Sequence, residues 1–119
     1  MSLEQKITQA EQLFETGQIM QAKTIFEEVL ISGPNSRVFN NLGVIAFGEN
    51  DPNLAVNYFI KAINADPKNS NALANLCDML EAGDNLGEAL GLLQTLNKKY
   101  PNDIEIKNWL DKAAQKKKI

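Results

Sequence analysis

Apolar residues recur every three or four positions along almost the whole chain, which is the spacing that gives an α-helix one apolar face. Runs in which polar and apolar residues alternate strictly, as they do in strands, are hard to find. Helix-breaking residues interrupt the pattern at Gly17, Pro34, Asn50, Pro67, Gly83 and Pro101. The pattern predicts an all-α protein with seven helices, near residues 3–15, 18–31, 36–48, 52–65, 70–82, 86–99 and 103–116.

The helix breakers and the small residues follow one common period. Pro34, Pro67 and Pro101 are spaced by 33 and 34 residues. The same two spacings separate the members of two further series, which are Ala22, Ala55 and Ala89, and Phe26, Phe59 and Leu93. A period of this length indicates stacked units of two helices, each of which buries its apolar face against a neighbour.

Within each period, small and large residues occupy fixed places. The second unit carries Phe39, Leu42, Gly43, Ala46, Ala55, Phe59, Ala62 and Pro67, and the third carries Leu73, Leu76, Cys77, Leu80, Ala89, Leu93, Leu96 and Pro101. This pattern resembles the tetratricopeptide repeat. The resemblance implies a right-handed α-solenoid of three helix pairs in a single domain, residues 1–119, with repeats at about 3–35, 36–69 and 70–102.

The two ends of the chain depart from the repeat. In the first unit, Lys6 and Gln9 stand where the pattern places large apolar residues. We expect this departure where no preceding repeat covers the first helix. After the last proline, one helical stripe is apolar, consisting of Ile106, Trp109, Leu110 and Ala113. We expect a C-terminal solvating helix at about 103–116 that seals the last repeat, followed by a short basic tail at 116–119.

Composition narrows the class of protein. The 119 residues suit one modest domain, and the longest stretch without a polar side chain, residues 42–48, is far shorter than the roughly 20 residues that span a bilayer. The amino terminus lacks the basic start and apolar run of a secretory signal. We therefore expect a cytoplasmic protein without a membrane span, or a domain cut from one.

The residues needed for most catalytic and metal sites are missing. Histidine is absent and Cys77 is the single cysteine, which excludes an internal disulfide, most zinc sites and histidine-based catalysis. Cys77 occupies a repeat position that needs a small residue, so packing is its expected role. Gly43 and Gly48 have the spacing of a phosphate loop, but the lysine and hydroxyl residue that should follow are missing. We expect no enzymatic activity and no cofactor.

The resemblance implies where a partner binds. In this family, the face of each first helix that points away from the packing lines a concave groove. The corresponding residues here are Ile7, Thr8, Glu11, Phe14, Arg37, Asn40, Asn41, Val44, Phe47, Asn71, Asn75 and Asp78, with Asn108 from the last helix. The hypothesis is a non-catalytic module that binds an extended neutral or basic peptide segment, or a partner protein, in this groove.

Three features of the groove support this hypothesis. Asn41, Asn75 and Asn108 repeat at one position, where a carboxamide both donates to and accepts from a peptide backbone, or bonds only within its own helix pair. Ile7, Phe14, Val44 and Phe47 form an apolar patch. The full groove also carries an excess of acid, which favours a neutral or basic partner: its carboxylates are Glu4, Glu11, Glu15, Asp78, Glu81 and Asp111, and its basic residues are Arg37 and Lys107.

Other roles remain open. A structural or self-assembly scaffold and a targeting domain of a larger protein are both compatible with this pattern.

The family's clamp for acidic chaperone tails needs lysine, arginine and asparagine at five positions. The residues at these positions here are Ile7, Glu11, Asn41, Asn71 and Asn75, and only Asn41 matches. Residues 1–97 carry a net charge of −7 and residues 98–119 one of +4. The basic run at 116–118 is short and free of aromatic residues, so we interpret it as a solubilising end and expect no nucleic-acid partner.

Overall fold

The computed structural model of the protein describes residues 1–117. The helices are α1 Leu3–Glu15, α2 Ile19–Ile31, α3 Ser36–Gly48, α4 Pro52–Ala65, α5 Ser70–Ala82, α6 Leu90–Lys99 and α7 Ile104–Lys117. No strand occurs within the described part of the chain, so the predicted all-α class is confirmed. The predicted basic tail at 116–119 extends beyond the described residues, which do not include Lys118 and Ile119.

One predicted helix is divided. The pattern predicted a single helix over 86–99, but the structure has a 3₁₀ turn, Leu86–Ala89, before α6 begins. The side chain of Asn85 makes no capping bond, and Gly87 disfavours the α conformation in the first turn. Residues three apart lie on the same side of a 3₁₀ helix, which buries Leu86 and Ala89 together.

Side-chain caps begin α1, α3 and α4, where the sequence places polar residues. Ser2 Oγ accepts from the Gln5 backbone N–H at 3.1 Å while Gln5 Oε1 accepts from the Ser2 N–H at 2.8 Å, which makes a complete capping box for α1. Asn35 caps α3 and Asp51 caps α4, each through its side-chain oxygen. Pro52 directly follows Asp51, at a position where its missing N–H costs no helical bond.

The chain divides into two compact units, of which the first is Met1–Ala72 and the second begins at Leu73. In unit 1, α1 packs on α2, α2 on α3 and α3 on α4. Its main core cluster consists of Ile7, Ala10, Ala22, Phe26, Val29, Val38, Leu42 and Ile45. Ala22, Phe26 and Leu42 of this cluster are repeat positions that the sequence pattern identified.

Close approach between α3 and α4 depends on small residues. A Cβ atom added to Gly43 would lie 2.5 Å from Cε1 of the Phe59 ring. Phe59 is itself buried, as are Ala55 and Ala62 on the same helix. The absence of a side chain at Gly43 is therefore what admits the Phe59 ring beneath α3.

In unit 2, α7 packs against α6 and against the 3₁₀ turn. The predicted stripe on α7 faces this contact: Ile106 and Ala113 are buried, and Trp109 and Leu110 are half-buried. By contrast, Ile104 at the start of α7 is 72% exposed. The ammonium of Lys112 lies 4.8 Å from the centroid of the Trp109 ring.

We predict that Gly43→Ala lowers the free energy of unfolding by about 1–3 kcal/mol, because the new methyl group overlaps a buried ring that cannot move into solvent. Gly48→Ala is the matched control in the same helix, since nothing lies within 4 Å of the added Cβ. Its effect should stay within about 0.5 kcal/mol. Urea denaturation followed by circular dichroism measures both, and equal midpoints for the two variants would refute this packing.

We predict that Ile106→Ala destabilises unit 2 by about 2–5 kcal/mol, because it opens a cavity under α7. Ile104→Ala removes the same atoms from an exposed position and should cost less than about 0.5 kcal/mol. The single tryptophan, Trp109, lies on α7, so its fluorescence during denaturation reports on this contact. A similar loss in both variants would show that α7 covers no apolar surface.

Candidate partner-binding face

A polar cluster joins α1 to α3 on the surface of unit 1. Glu11 Oε2 accepts hydrogen bonds from Arg37 Nε at 2.9 Å and from Asn41 Nδ2 at 2.8 Å. Arg37 Nη2 donates to the other Glu11 oxygen, and Arg37 Nη1 lies 3.5 Å from Glu4 Oε1. We call Glu4, Glu11, Arg37 and Asn41 the Glu11 cluster. Arg37 grips Glu11 through two nitrogens, a geometry that fixes both side chains.

The charges of the cluster are mutually stabilised. Burial by itself raises the pKa of Glu11, but the hydrogen bonds from Arg37 and Asn41, with the charge of Arg37, outweigh it and hold the pKa below its ordinary value. The hydrogen bond to Glu11 raises the pKa of Arg37. The Arg37 side chain is 45% exposed, and ion pairs so open to solvent contribute only about 0–1 kcal/mol. The main consequence of the cluster is therefore geometric.

The side chain of Asn41 is committed within the protein. Its Nδ2 atom donates to Glu11 Oε2 and, at 3.0 Å, to the backbone oxygen of Arg37. A carboxamide nitrogen carries two hydrogens, so both donors are in use. The bond to the Arg37 oxygen lies within the helix pair of Asn41, whereas the bond to Glu11 reaches α1 of the preceding pair.

One residue predicted for the apolar patch belongs to the core, and a second packs partly against it. Ile7 is 4% exposed and lies in the core cluster of unit 1, and Phe14 is partly buried against the same cluster. The repeat register had assigned the inward positions of α1 to Lys6 and Gln9. Burying isoleucine releases free energy while burying lysine costs it, so α1 turns Ile7 inward and leaves Gln9 exposed.

The exposed part of the predicted patch is on α3. Asn41, Val44 and Phe47 follow at intervals of three residues and therefore lie along one side of the helix. Val44 is half-buried, and Phe47 is 52% exposed. Asn40 is half-buried beside this row, and Thr8 is exposed on α1. We define the α1–α3 face as the side chains of Glu4, Thr8, Glu11 and Glu15 from α1 and of Arg37, Asn41, Val44 and Phe47 from α3.

The remaining predicted site residues lie on other helices. Asn71, Asn75 and Asp78 share one side of α5, because they are spaced by four and three residues. Asn71 and Asp78 are exposed and Asn75 is half-buried. Asn108 is exposed on α7. Their participation in a binding surface stays a prediction.

One surface feature was missed by sequence reasoning. Phe39 and Tyr58 pair with ring centroids 6.4 Å apart, and the Lys61 ammonium lies 5.9 Å and 5.8 Å from the two centroids. Phe39 and Lys61 also line a shallow depression with Pro34. Tyr58 and Lys61 are i, i+3 neighbours on α4, but Phe39 comes from α3, so local spacing alone could not have brought it to them.

Three further features to consider among the described residues are the Cys77 thiol, possible metal ligands and possible membrane-spanning helices. Cys77 is buried, and burial, with the charges of Asp78 and Glu81, raises the pKa of its thiol to about 12. It therefore stays protonated at neutral pH and is a poor nucleophile. Within residues 1–117 no group of three or more potential ligands could hold a metal ion, and none of the helices there has the length and apolarity needed to cross a membrane.

Solved structures share this fold, and three of them are of one bacterial chaperone. One is the type III secretion chaperone SycD of Yersinia enterocolitica in complex with a peptide of the translocator YopD, with 21% identity, a TM-score of 0.68 and coverage of 97% of this chain and 94% of that chain. Two further SycD structures are also 21% identical. The first of these has a TM-score of 0.67, and the match covers 98% of this chain and 86% of that chain. The second, an alternative dimer, has a TM-score of 0.68, and the match covers 98% of this chain and 95% of that chain. At this identity the likeness shows the fold alone.

The sequence comparisons identify the family. Among curated proteins, no sequence match reaches significance. The tetratricopeptide repeat family matches residues 46–113, more than half of the chain. The matched segment includes Ala55, Phe59, Ala89 and Leu93, which are repeat positions that the structure buries. The chain belongs to the tetratricopeptide repeat family.

Proposed function

We propose that the protein is a non-catalytic interaction module that binds an extended, neutral or basic segment of a partner protein on the α1–α3 face. The observation that carries the proposal is Phe47, an aromatic side chain left 52% exposed on α3, the helix that also supplies Arg37 and Asn41 to the Glu11 cluster. Exposed apolar surface rimmed by polar groups marks partner sites in many proteins. Val44, one turn before Phe47, extends the apolar surface toward Asn41.

The charges of the face favour the chemistry of the proposed partner. Three carboxylates, those of Glu4, Glu11 and Glu15, stand against the single guanidinium of Arg37. Arg37 is already paired with Glu4 and Glu11, so its charge is largely neutralised within the face. A basic segment would be attracted and an acidic one repelled.

The architecture is also suited to an extended segment. Polar groups from α1 and α3 meet in the Glu11 cluster, and an apolar row continues from it along α3, so a segment lying on the face would meet both kinds of contact. The SycD structure with a peptide of the translocator YopD supports the use of this fold to hold a peptide. The family resemblance implies binding through first-helix side chains, which is the surface proposed here.

Binding rather than catalysis is the better use of the ionisable groups. A general acid at neutral pH needs a raised pKa, whereas three hydrogen bonds hold the Glu11 carboxylate in its charged form. The thiol of Cys77 is protonated and buried. We therefore include the lack of enzymatic activity in the proposal.

Self-assembly is the second candidate, and exposed apolar side chains away from the α1–α3 face favour it. Met20 and Ile31 on α2 are 72% and 85% exposed, and one of the similar SycD structures is an alternative dimer. Light scattering over a concentration series separates the two. Growth of the apparent mass, unchanged by Phe47→Ala but abolished by Ile31→Ala, would favour assembly over the proposed module.

We predict that Phe47→Ala weakens binding of a peptide selected from a random display library against the whole protein. Loss of an aromatic anchor should cost more than about 1 kcal/mol, or roughly fivefold in Kd. Ile31→Ala is the control, because it removes a more exposed apolar side chain from α2. Isothermal titration measures both, and equal Kd values for the two variants would place the peptide elsewhere.

We predict that Glu15→Lys slows association with a basic peptide and reduces its dependence on salt. Glu15 is exposed on the α1–α3 face, so reversing its charge weakens the field that steers a cationic partner. Glu28→Lys makes the same change on α2 and serves as control. Stopped-flow association rates at low and high salt decide between the faces, and identical rates for both variants would remove the electrostatic part of the proposal.

A further inference from the structure

The orientation of the Asn41 carboxamide is fixed by its neighbours. The oxygen and the amide group of such a side chain are similar in size, so the surrounding hydrogen bonds decide which one points where. Asn41 Nδ2 lies 2.8 Å from Glu11 Oε2 and 3.0 Å from the Arg37 backbone oxygen, and both of these atoms are acceptors. A flipped carboxamide would lose two hydrogen bonds and press its own oxygen against two others.

Glu11 is in turn oriented toward Asn41 by its hydrogen bonds to Arg37. Arg37 donates to both of its carboxylate oxygens through Nε and Nη2. The remaining terminal nitrogen of Arg37 faces Glu4. The lowered pKa of Glu11 keeps the carboxylate charged, and a charged carboxylate is only an acceptor. The chain of contacts from Glu4 to Asn41 therefore defines one orientation of the carboxamide.

We infer that Glu11 is a positioning residue that makes Asn41 an acceptor only, so that the α1–α3 face selects a partner segment that presents an N–H group at this point. The inference rests on the proposed function and deepens it. The sequence alone allows the Asn41 carboxamide both to donate hydrogen bonds to a partner and to accept them, which would let it bind any peptide backbone. Once both amide hydrogens are engaged by Glu11 and by Arg37, the side-chain oxygen is the polar atom left for a partner.

The electrostatics of the cluster favour the same selection. A carbonyl or carboxylate group of the partner at this point would meet the Asn41 oxygen and the Glu11 carboxylate together, which is repulsive. An N–H group would instead be attracted by both. The N–H can come from the backbone of the segment or from a lysine or arginine side chain.

The probe is a peptide selected from a random display library against the whole protein. In one series each backbone N–H is replaced by an ester oxygen, and in another each lysine or arginine is replaced by norleucine. One substitution should weaken binding to the wild type by about threefold to tenfold, the equivalent of one lost hydrogen bond. The same substitution should have little effect on Asn41→Ala. The ester series identifies a backbone donor and the norleucine series a side-chain donor.

Glu11→Gln tests the positioning role directly. The amide of the new glutamine can donate to the Asn41 oxygen, so the Asn41 carboxamide is free to turn. The peptide substitution that weakens binding to the wild type should then cause little or no loss of affinity for this variant. Glu15→Gln removes the same charge from the same helix and should keep the full penalty. The side-chain amide protons of Asn41, followed by NMR without any peptide, should exchange with water faster in Glu11→Gln than in Glu15→Gln.

The outcomes separate this inference from the proposed function. If peptides bind and depend on Phe47, but no ester or norleucine substitution couples to Asn41, the proposed function stands and the acceptor role is wrong. Equal penalties in Glu11→Gln and Glu15→Gln, with equal exchange at Asn41, would show that Glu11 positions nothing. If no selected peptide depends on Phe47, the proposed function fails and the inference fails with it.

Discussion

The close approach of helix backbones is the constraint on which the rest of unit 1 depends. Gly43 leaves room for the Phe59 ring, and the buried Ala55 and Ala62 allow the same helix to lie close to α3. This contact fixes which side of α3 points inward. It leaves Asn41 and Val44 half-buried and Phe47 exposed on the same helix. A packing rule that serves stability thus also determines what the surface offers.

The polar side of that surface is organised by one carboxylate. Glu11 accepts hydrogen bonds from two side chains of α3, and Arg37 connects it to Glu4. Exposed ion pairs contribute little to stability, so the value of this arrangement lies in the orientation it imposes. It neutralises the one cation of the α1–α3 face and uses both donors of Asn41. The face that results is rich in acceptors, which agrees with a partner that supplies N–H groups and positive charge.

Much of the fold was predictable because the repeat is a local signal. The 33- and 34-residue spacing and the helix breakers located the helices to within a few residues, and the small residue position of Cys77 correctly indicated burial. The 3₁₀ turn, Leu86–Ala89, was missed. A missing side-chain cap and one glycine favour 3₁₀ over α conformation there, and the spacing of apolar residues does not distinguish the two. Ile7 was misplaced because the repeat register was applied to α1, although Lys6 and Gln9 already signalled that this helix departs from it. The hydrogen bonds of Glu11 join residues 26 and 30 positions apart, so only the packed structure reveals them.

The central claim is that the α1–α3 face receives an extended partner segment. The most direct test is NMR mapping of the whole protein during titration with a selected peptide of net positive charge. The account predicts that the largest shift changes occur at Thr8, Asn41, Val44 and Phe47, while Met20 and Ile31 on α2 stay unchanged. Shift changes centred on α2, or on α7 with the α1–α3 face silent, would contradict it.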